Sequence, residues 1–561
     1  MRPVIFTGAK VIDVVSRKVV NTDVLVKDAK TYLGEAPLIQ GCEVIDLKGA
    51  YLAPGFIDGH IHIESSMLTP IEFSREAVKK GTTAVFCDPH EIANVLGPRG
   101  VELFLEQAEQ AVIKINIAVP SCVPATDMET SGGAITLDDI KKFLKDERVY
   151  GLAEMMNFPG IVHGVGDARQ KVKAALDAGK LVDGHAPGLS GKPLEDYISN
   201  GEDDWEVRIS SDHECTSAQE AIEKWEKGMF IMLRHGSASK DLENILPGIC
   251  EKGISLENFG LVSDDLSAED MREKGHVDGL VRAAAQIFEN VLECGRERAV
   301  IEAITMVTLN IAAHFRKNTG YIGKGAAADL VVFDSLKDIN PKLVMVNGRI
   351  VYRDGMIEEE ERTFDYSGYS HPVNIREGYA EKMMITCPAA DRKARVIGAQ
   401  YDSLLTEAFE VSLPCVGGVL RADPARGIFK IAVLERHKGT GNVRTGFIKG
   451  ISFRGGAIAS TVAHDSHNLI VLGADETSMI KAVEKVRSVG GGMAAVHGEK
   501  SEALPLDLAG LMSTLSADEV IRAHKSLLAL TSEMGFDRDP FLTLSFMALP
   551  VIPHLKITDK G

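Results

Sequence analysis

Short apolar runs alternate with longer charged runs along residues 55–319, and this alternation predicts the fold of that region. Eight of the apolar runs have the length and β-branched content of buried strands, and the runs between them have helical spacing. The predicted strands cover residues 56–63, 82–86, 115–119, 150–154, 181–185, 207–213, 229–233 and 259–264. Such alternation over about 250 residues is typical of an α/β fold, the parallel (β/α)8 or TIM-like barrel. A doubly wound open sheet, the alternative, would need a glycine-rich phosphate turn after its first strand, and none is there.

The segments before and after the predicted barrel in the sequence have the pattern of short β-strands. Apolar runs at 11–15 and 24–26 precede the barrel, and runs at 328–333 and 344–351 follow it. The last run is interrupted by Asn347-Gly348, the strongest short hairpin signal. We expect residues 1–54 and 320–370 to form one small β-sandwich domain, with the catalytic barrel at 55–319 between its two halves.

The last third of the chain has a mixed pattern. Residues 428–433 and 469–472 read as strands, and residues 475–489 read as an amphipathic helix that ends at three glycines. We expect a C-terminal α/β domain over residues 380–561, whose role the pattern does not indicate.

The first predicted barrel strand alternates polar residues with apolar ones. Asp58, His60 and His62 occupy alternate positions, and isoleucine dominates the positions between them. Because side chains alternate across a strand, we expect the acid and both histidines to share the face toward the barrel mouth. Two imidazoles two residues apart on one face can bind a metal ion. The alternative is a pair of core histidines that are neighbours by chance.

Polar residues also stand at the ends of four later strands. They are Glu154, His185, His213 and Asp264. The C-terminal ends of barrel strands meet at one face, so we expect these side chains to join His60 and His62. Each alone could be a turn or capping residue, but imidazoles and carboxylates together suit Zn, Fe or Mn. Six ligands exceed what one tetrahedral ion takes and fit two ions, with Glu154 as the bridge.

The predicted ligands would hold two metal ions close enough to activate a water molecule. Two ions about 3.5–4 Å apart can hold a hydroxide and lower the pKa of its parent water toward neutrality. Such a nucleophile needs a base that takes its proton and returns it to the leaving group. Asp264 is the candidate base, but Asp265 follows it directly, so either of the two could be the ligand.

Composition narrows the classes of partner. The chain has 561 residues and a net charge of −18, which argues against nucleic acids and anionic membranes and favours a small neutral or cationic substrate. Eight cysteines without a Cys-x-x-Cys motif are typical of a reducing, cytoplasmic location. We expect no signal peptide and no membrane span, because no apolar run approaches about 18 residues.

The polar residues at the strand ends, taken in order, resemble those of the amidohydrolase superfamily. Several segments resemble, more narrowly, the bacterial and archaeal adenine deaminases. These segments are residues 59–67, 88–95, 122–126, 153–156, 183–187, 212–214, 263–265, 464–468 and 490–493. The resemblance covers nearly the whole chain and is specific in combination.

This resemblance implies a metal-dependent hydrolase that deaminates adenine to hypoxanthine and ammonia in purine salvage, through a metal-bridging hydroxide. It implies two divalent ions, with Mn2+ or Fe2+ usual and Zn2+ possible. It also implies a glutamate bridge, here Glu154, where hydantoinase-like relatives use a carboxylated lysine. His213 and Asp264 would act beside Glu154 at the reacting centre. The expected partners are a purine substrate and a second copy of the chain in a homodimer.

Residues outside the predicted metal ligands are candidates for binding the purine. They are Asp88, His90, Glu91 and Ser121. The first three follow the second strand, where they would recognise the purine edge or shuttle protons, or else form a capped turn. For Arg234 we expect a surface or interdomain charge. His464 and His467 could reach over the barrel mouth or satisfy a turn, and we favour the turn.

Two alternatives stay open at the level of sequence. Another amidohydrolase that acts on a cyclic amide or amidine would keep the same order of ligands. A non-catalytic scaffold should lack some ligands, and all six are present. A third design, the zinc nucleobase deaminase, needs Pro-Cys-x-x-Cys, and here the second cysteine is missing after Pro414-Cys415.

Overall fold

The region predicted as a barrel is a closed parallel β/α barrel. The computed structural model describes residues 2–34, 41–358, 363–369, 373–387, 393–401, 403–552 and 554–561. The barrel strands are Phe56–His62, Thr82–Cys87, Lys114–Val119, Val149–Met155, Leu181–Gly184, Ser211–Asp212, Phe230–Arg234 and Phe259–Val262. Asp264–Asp265 continues the eighth strand and pairs in parallel with the first, which closes the ring. The predicted fold class is therefore confirmed.

Helices connect the barrel strands and pack against them. They are Pro70–Val78, His90–Leu96, Pro98–Ala108, Leu137–Phe143, Phe158–His163, Ala168–Asp177, Gly191–Ile198, Ala218–Glu226, Leu242–Glu251, Ala268–Glu273, Val277–Val291, Arg296–Met306 and Leu309–His314. The first of them shows why they form where they do. Proline occupies its first turn, the Thr69 side chain accepts from the Glu72 amide at 3.4 Å, and Phe73 and Ala77 are buried on its inner face. Among the described residues, no helix has both the length and the apolar content that crossing a membrane requires.

Apolar side chains fill the lower half of the barrel interior. Ile57, Phe86, Phe230 and Phe315 belong to one buried cluster there, and the rings of Phe86 and Phe315 stack with centroids 3.6 Å apart. A packed core of this kind leaves only the upper end of the barrel for polar side chains.

Strands from the segments before and after the barrel in the sequence pair in two sheets, and these two sheets share one apolar core. One sheet is ordered Ala326–Ala327, Lys30–Leu33, Val24–Lys27, Val4–Thr7, Glu43–Asp46. The other is ordered Met356–Ile357, Arg349–Arg353, Pro341–Val346, Leu330–Phe333, Tyr51–Pro54, Lys10–Asp13, Lys18–Asn21. The predicted hairpin is present, and both turn residues have positive φ, 49° at Asn347 and 74° at Gly348. The domain limits stay a prediction, and the predicted end at 370 lies outside the described residues.

The predicted strand at 11–15 is too long. The observed strand ends at Asp13, whose carboxylate accepts from the Val15 and Ser16 amides at 3.0 and 3.2 Å. This side-chain turn competes with the strand and carries the chain into Lys18–Asn21, a strand that the apolar pattern did not show.

The C-terminal region is built on an eight-stranded sheet. Its order is Glu407–Ser412, Lys393–Gly398, Val443–Lys449, Ile428–Leu434, Leu469–Gly473, Ala457–Ser460, Gly492–His497, Lys500–Pro505. Helices Glu476–Ser488 and Ala517–Met534 pack on this sheet, and the second also packs on barrel helices Pro70–Val78 and Ala268–Glu273. The C-terminal region is thus docked directly on the barrel.

Candidate active site

The structure brings all six predicted metal ligands together at the mouth of the barrel. They come from the ends of five strands: His60, His62, Glu154, His185, His213 and Asp264. Five of the six are buried, and His185 is partly buried. The side chains therefore meet as the sequence predicted, and their role as ligands stays a prediction.

A bulge in the first strand aims the two histidines into the mouth. Asp58 pairs with Val85, and Ile61 pairs with Cys87. An advance of three residues along the first strand therefore matches an advance of two residues along the second strand. The expectation that Asp58 shares the histidines' face is wrong for this reason. Its carboxylate lies 2.9 Å from His276 Nε2, at the start of an outer helix.

His60, His62 and Asp264 form the first half of the site. The Nε2 atoms of the two histidines are 3.2 Å apart, and Asp264 Oδ1 lies 3.3 Å from His62 Nε2 and 3.6 Å from His60 Nε2. His62 Nδ1 donates to the Asp88 carbonyl at 3.1 Å, which leaves the lone pair of the neutral ring on Nε2. The two Nε2 atoms and Asp264 Oδ1 thus face one another at the barrel mouth.

Glu154 links this half to a second pair of histidines. Its Oε2 lies 2.8 Å from His185 Nδ1 and 3.0 Å from His213 Nε2, while its Oε1 lies 3.7 Å from His62 Nε2. The rings of His60 and His213 stack with centroids 3.9 Å apart. The carboxylate therefore occupies the position that a bridging ligand between two ions requires.

The donors at the mouth fit divalent cations. Burial lowers the pKa of His60 well below its usual value, and the neighbouring histidines lower it further, so that ring is neutral. Burial alone would raise the pKa of Glu154, but His185 and His213 hold it well below its usual value. The 3.2 Å between the His60 and His62 nitrogens is close to the roughly 3.3 Å of two nitrogen ligands on one tetrahedral ion.

Nearby polar atoms also lack hydrogen-bond partners. Both carboxylate oxygens of Asp88 and Nδ1 of His90 are buried without a hydrogen bond among the described residues, although Oδ2 and Nδ1 lie 3.2 Å apart. Because a buried carboxylate oxygen without a hydrogen bond is costly, Asp88 Oδ1 indicates a place where a bound group completes the site.

Asp264 rather than Asp265 belongs to the cluster. Asp265 accepts a hydrogen bond from the Ser65 hydroxyl, and its oxygens are not among the clustered ligand atoms. Asp264 has a left-handed backbone with φ of 59°, which turns its side chain inward. Burial alone would raise the pKa of Asp264, but His62 and Arg234 hold it well below its usual value.

Arg234 is a buried member of the site, and the expectation of a surface or interdomain charge is wrong. Its guanidinium lies 3.3 Å from Asp264 Oδ2 and 2.9 Å from Asp241 Oδ2, and it also pairs with Glu214. Glu214 was not singled out from the sequence, although it directly follows His213. Its Oε1 lies 3.5 Å from His213 Nε2 and 3.7 Å from His185 Nδ1.

The four predicted purine-binding residues border the cluster to different degrees. His90 lies with Nδ1 3.3 Å from Glu154 Oε1 and Nε2 3.4 Å from Glu91 Oε1, and Asp88 is beside it. The Ser121 hydroxyl donates to the Glu154 carbonyl at 2.5 Å, so it supports the main chain behind the carboxylate. Contact of these residues with a purine stays a prediction.

The prediction that His464 and His467 only satisfy a local turn is wrong. Both hydrogen-bond or ion-pair with Glu91, across the boundary between the C-terminal region and the barrel. The contact joins residues 376 positions apart, so no local pattern could have shown it.

The sequence of this chain matches two family models and several known proteins. Residues 51–351 match the family model described as the amidohydrolase family, and residues 403–561 match the model described as the adenine deaminase C-terminal domain. The chain is 40% identical to adenine deaminase 2 of Carboxydothermus hydrogenoformans, over 94% of this chain and 90% of that protein. It is 41% identical to the adenine deaminase of Desulfatibacillum aliphaticivorans, over 99% and 94%. It is 39% identical to the adenine deaminase of Methanothrix thermoacetophila, over 99% and 94%.

Proposed function

Because the chain belongs to the amidohydrolase family and, within it, to the adenine deaminases, we propose that it hydrolyses adenine to hypoxanthine and ammonia. The observation that carries this function is the convergence of four histidines and two carboxylates at the barrel mouth. A scaffold without chemistry would have no reason to keep such a costly set of buried polar groups. Purine salvage is the pathway we propose for this reaction.

The cluster suits divalent metal, and we propose that it holds two ions, Mn2+ or Fe2+, with Zn2+ as a possible substitute. His60, His62 and Asp264 would hold one ion, His185 and His213 the other, and Glu154 would bridge them. When bound, two such ions lower the pKa of a water molecule toward neutrality and so supply a nucleophile.

The protein's own side chains would move the protons of the reaction. Water adds at C6 of adenine and the amino group leaves as ammonia, so one proton must reach a ring nitrogen and another the leaving nitrogen. Asp264 would accept the proton of the attacking water and pass it on, and Arg234, 3.3 Å from Asp264 Oδ2, would keep Oδ1 facing the site. His213 would stay beside the reacting carbon, held by Glu154.

The residues after the second strand would recognise the purine. His90 and Glu91 lie next to each other on the edge of the cluster, and Asp88 completes the group. Their mixture of donors and acceptors matches the ring nitrogens of a purine, which carry both kinds of group. A small neutral purine also suits the acidic chain. A homodimer in the cytoplasm is our proposal for its state in the cell.

A purine series tests the function directly. The purified protein, loaded with Mn2+ or Fe2+, is offered adenine, adenosine, guanine and 6-chloropurine, and ultraviolet absorbance is followed. We expect adenine to be converted to hypoxanthine with release of ammonia, and guanine, whose amino group is on C2, to stay unchanged. Metal-loaded protein that leaves adenine untouched but opens a hydantoin or dihydroorotate ring would show that the substrate assignment is wrong.

A further inference from the structure

A loop of the C-terminal region, residues 463–468, reaches the barrel mouth and contacts Glu91. His464 Nδ1 lies 2.7 Å from Glu91 Oε1, and His467 Nε2 hydrogen-bonds with Glu91 Oε2. All three side chains are buried. We call His464 and His467 the histidine clamp.

Contacts continue from the clamp to the centre of the candidate site. Glu91 Oε1 lies 3.4 Å from His90 Nε2, and His90 Nδ1 lies 3.3 Å from Glu154 Oε1. Glu91, His90 and Glu154 are each more than nine-tenths buried. The C-terminal region therefore touches Glu91, which reaches the proposed bridging ligand through His90.

The main chain fixes which nitrogen of His467 carries the ring proton. The Ala463 amide donates to His467 Nδ1 at 3.2 Å, so Nδ1 is the acceptor and Nε2 the donor to Glu91. Burial lowers the pKa of His467 to about 4, so the ring is neutral near neutral pH. A protonated Nε2 cannot bind metal. The trio with Glu91 is thus a set of hydrogen bonds that hold a carboxylate, and not a third metal site.

The loop that carries the clamp is itself firmly held. The fully buried Arg436 donates to the His467 carbonyl at 2.5 Å and to the Ala509 carbonyl at 2.9 Å. Asn468 donates to the Thr130 carbonyl of the barrel at 2.9 Å. Such anchoring on both the C-terminal region and the barrel leaves the clamp little freedom to move.

We propose that the histidine clamp positions Glu91, and through it His90, for the deamination. Two donors on its two oxygens fix the rotation of the Glu91 carboxylate, so that Oε1 stays beside His90. The C-terminal region is then part of the active site rather than an accessory to it. The inference rests on the proposed function, because it places His90 and Glu91 in proton transfer or purine recognition.

The test compares adenine kinetics of His467→Leu and His467→Gln in the full-length, metal-loaded protein. Leucine fills the space without a donor, and we expect kcat to fall about 10–100-fold, the usual effect of losing a group that orients a functional residue. KM should change less than kcat, and bound metal per chain should not change. Glutamine keeps an N–H donor, so it should recover most of the loss.

His524→Leu is the matched control. His524 is also a buried histidine of the C-terminal region that faces a barrel glutamate, with Nδ1 3.3 Å from Glu269 Oε2, but neither residue belongs to the clusters of possible metal ligands. We expect its kcat to stay close to that of the unaltered protein. If His467→Leu is no slower than His524→Leu, the clamp has no positioning role.

A double variant separates positioning from general damage. If His467 acts only through Glu91, then Glu91→Gln with His467→Leu should be no slower than Glu91→Gln alone. Losses that multiply would overturn the proposal. Should His467→Leu fail to fold, His464→Phe replaces it, because a phenyl ring keeps the stack on Phe546 at 4.9 Å and removes the other partner of Glu91. An unchanged kcat in that variant would equally overturn the proposal.

The two proposals fail in different ways. Unaltered protein that does not deaminate adenine contradicts the proposed function. Unaltered protein that is active, together with clamp variants that are equally active, contradicts only the role of the clamp.

Discussion

Glu154→Gln is expected to lose both bound metal and turnover. The Glu154 carboxylate is the group that contacts both histidine pairs, with Oε2 2.8 Å from His185 Nδ1 and Oε1 3.7 Å from His62 Nε2. Removing one partner of a buried charged set costs about 3–5 kcal/mol. We therefore expect metal affinity to fall by roughly 100-fold to 4,000-fold. Metal content after gel filtration and the rate of adenine loss are the measurements.

Glu302→Gln makes the same chemical change where no effect on metal is expected. Glu302 is a buried glutamate of the barrel's outer helices that pairs with Arg17 at 2.9 Å. Its variant should bind metal and turn over adenine as the unaltered protein does. Full activity with normal metal content in Glu154→Gln would remove the bridging role.

Asp264→Asn is expected to keep most of the metal and lose the rate. Asparagine preserves the shape of the side chain and one oxygen toward His62, but it cannot accept the proton of the attacking water. General acid–base catalysis contributes about 100-fold to 10,000-fold, and we expect kcat to fall within this range. Steady-state kinetics at saturating adenine, with metal content measured on the same sample, check this expectation.

Asp265→Asn provides the comparison from the neighbouring position. Asp265 accepts a hydrogen bond from the Ser65 hydroxyl and is not one of the clustered ligands, so its variant should retain most of the rate. A large loss in Asp265→Asn, with little loss in Asp264→Asn, would reverse the assignment of the base.

Much of the barrel could be predicted because its strands are short, apolar and evenly separated by helical runs. The same regularity placed His185, His213 and Asp264 at strand ends, where a parallel barrel brings distant residues together. The site was predictable to this extent because each ligand stands at the end of an element that its own local sequence defines.

The geometry of the first strand could not be predicted from its alternation. One extra residue between Asp58 and Ile61 changes which side chains face the mouth, and Gly59 alone does not show that the pairing shifts there. The bulge depends on pairing with Thr82–Cys87, a strand that is separated from the first strand in the sequence by a helix. Period-two reasoning therefore placed His60 and His62 correctly and Asp58 on the wrong face.

Residues that act through tertiary contacts were the hardest to predict. Arg234 resembles any charged residue at a strand end until Asp264 and Asp241 are seen around it. The clamp depends on a pairing between Glu91 and His467, which lie 376 residues apart, and on the docking of a separate sheet against the barrel. Only the folded chain shows such partners.

The most direct test concerns the metal pair itself. Protein stripped of metal by a chelator is titrated with Mn2+, and bound metal and adenine turnover are measured per chain. Crystals of the loaded protein then give anomalous scattering at the Mn absorption edge. We predict that both quantities saturate at about two equivalents and that both scattering peaks lie among His60, His62, Glu154, His185, His213 and Asp264. Saturation at one equivalent, or peaks away from these side chains, would contradict the binuclear site.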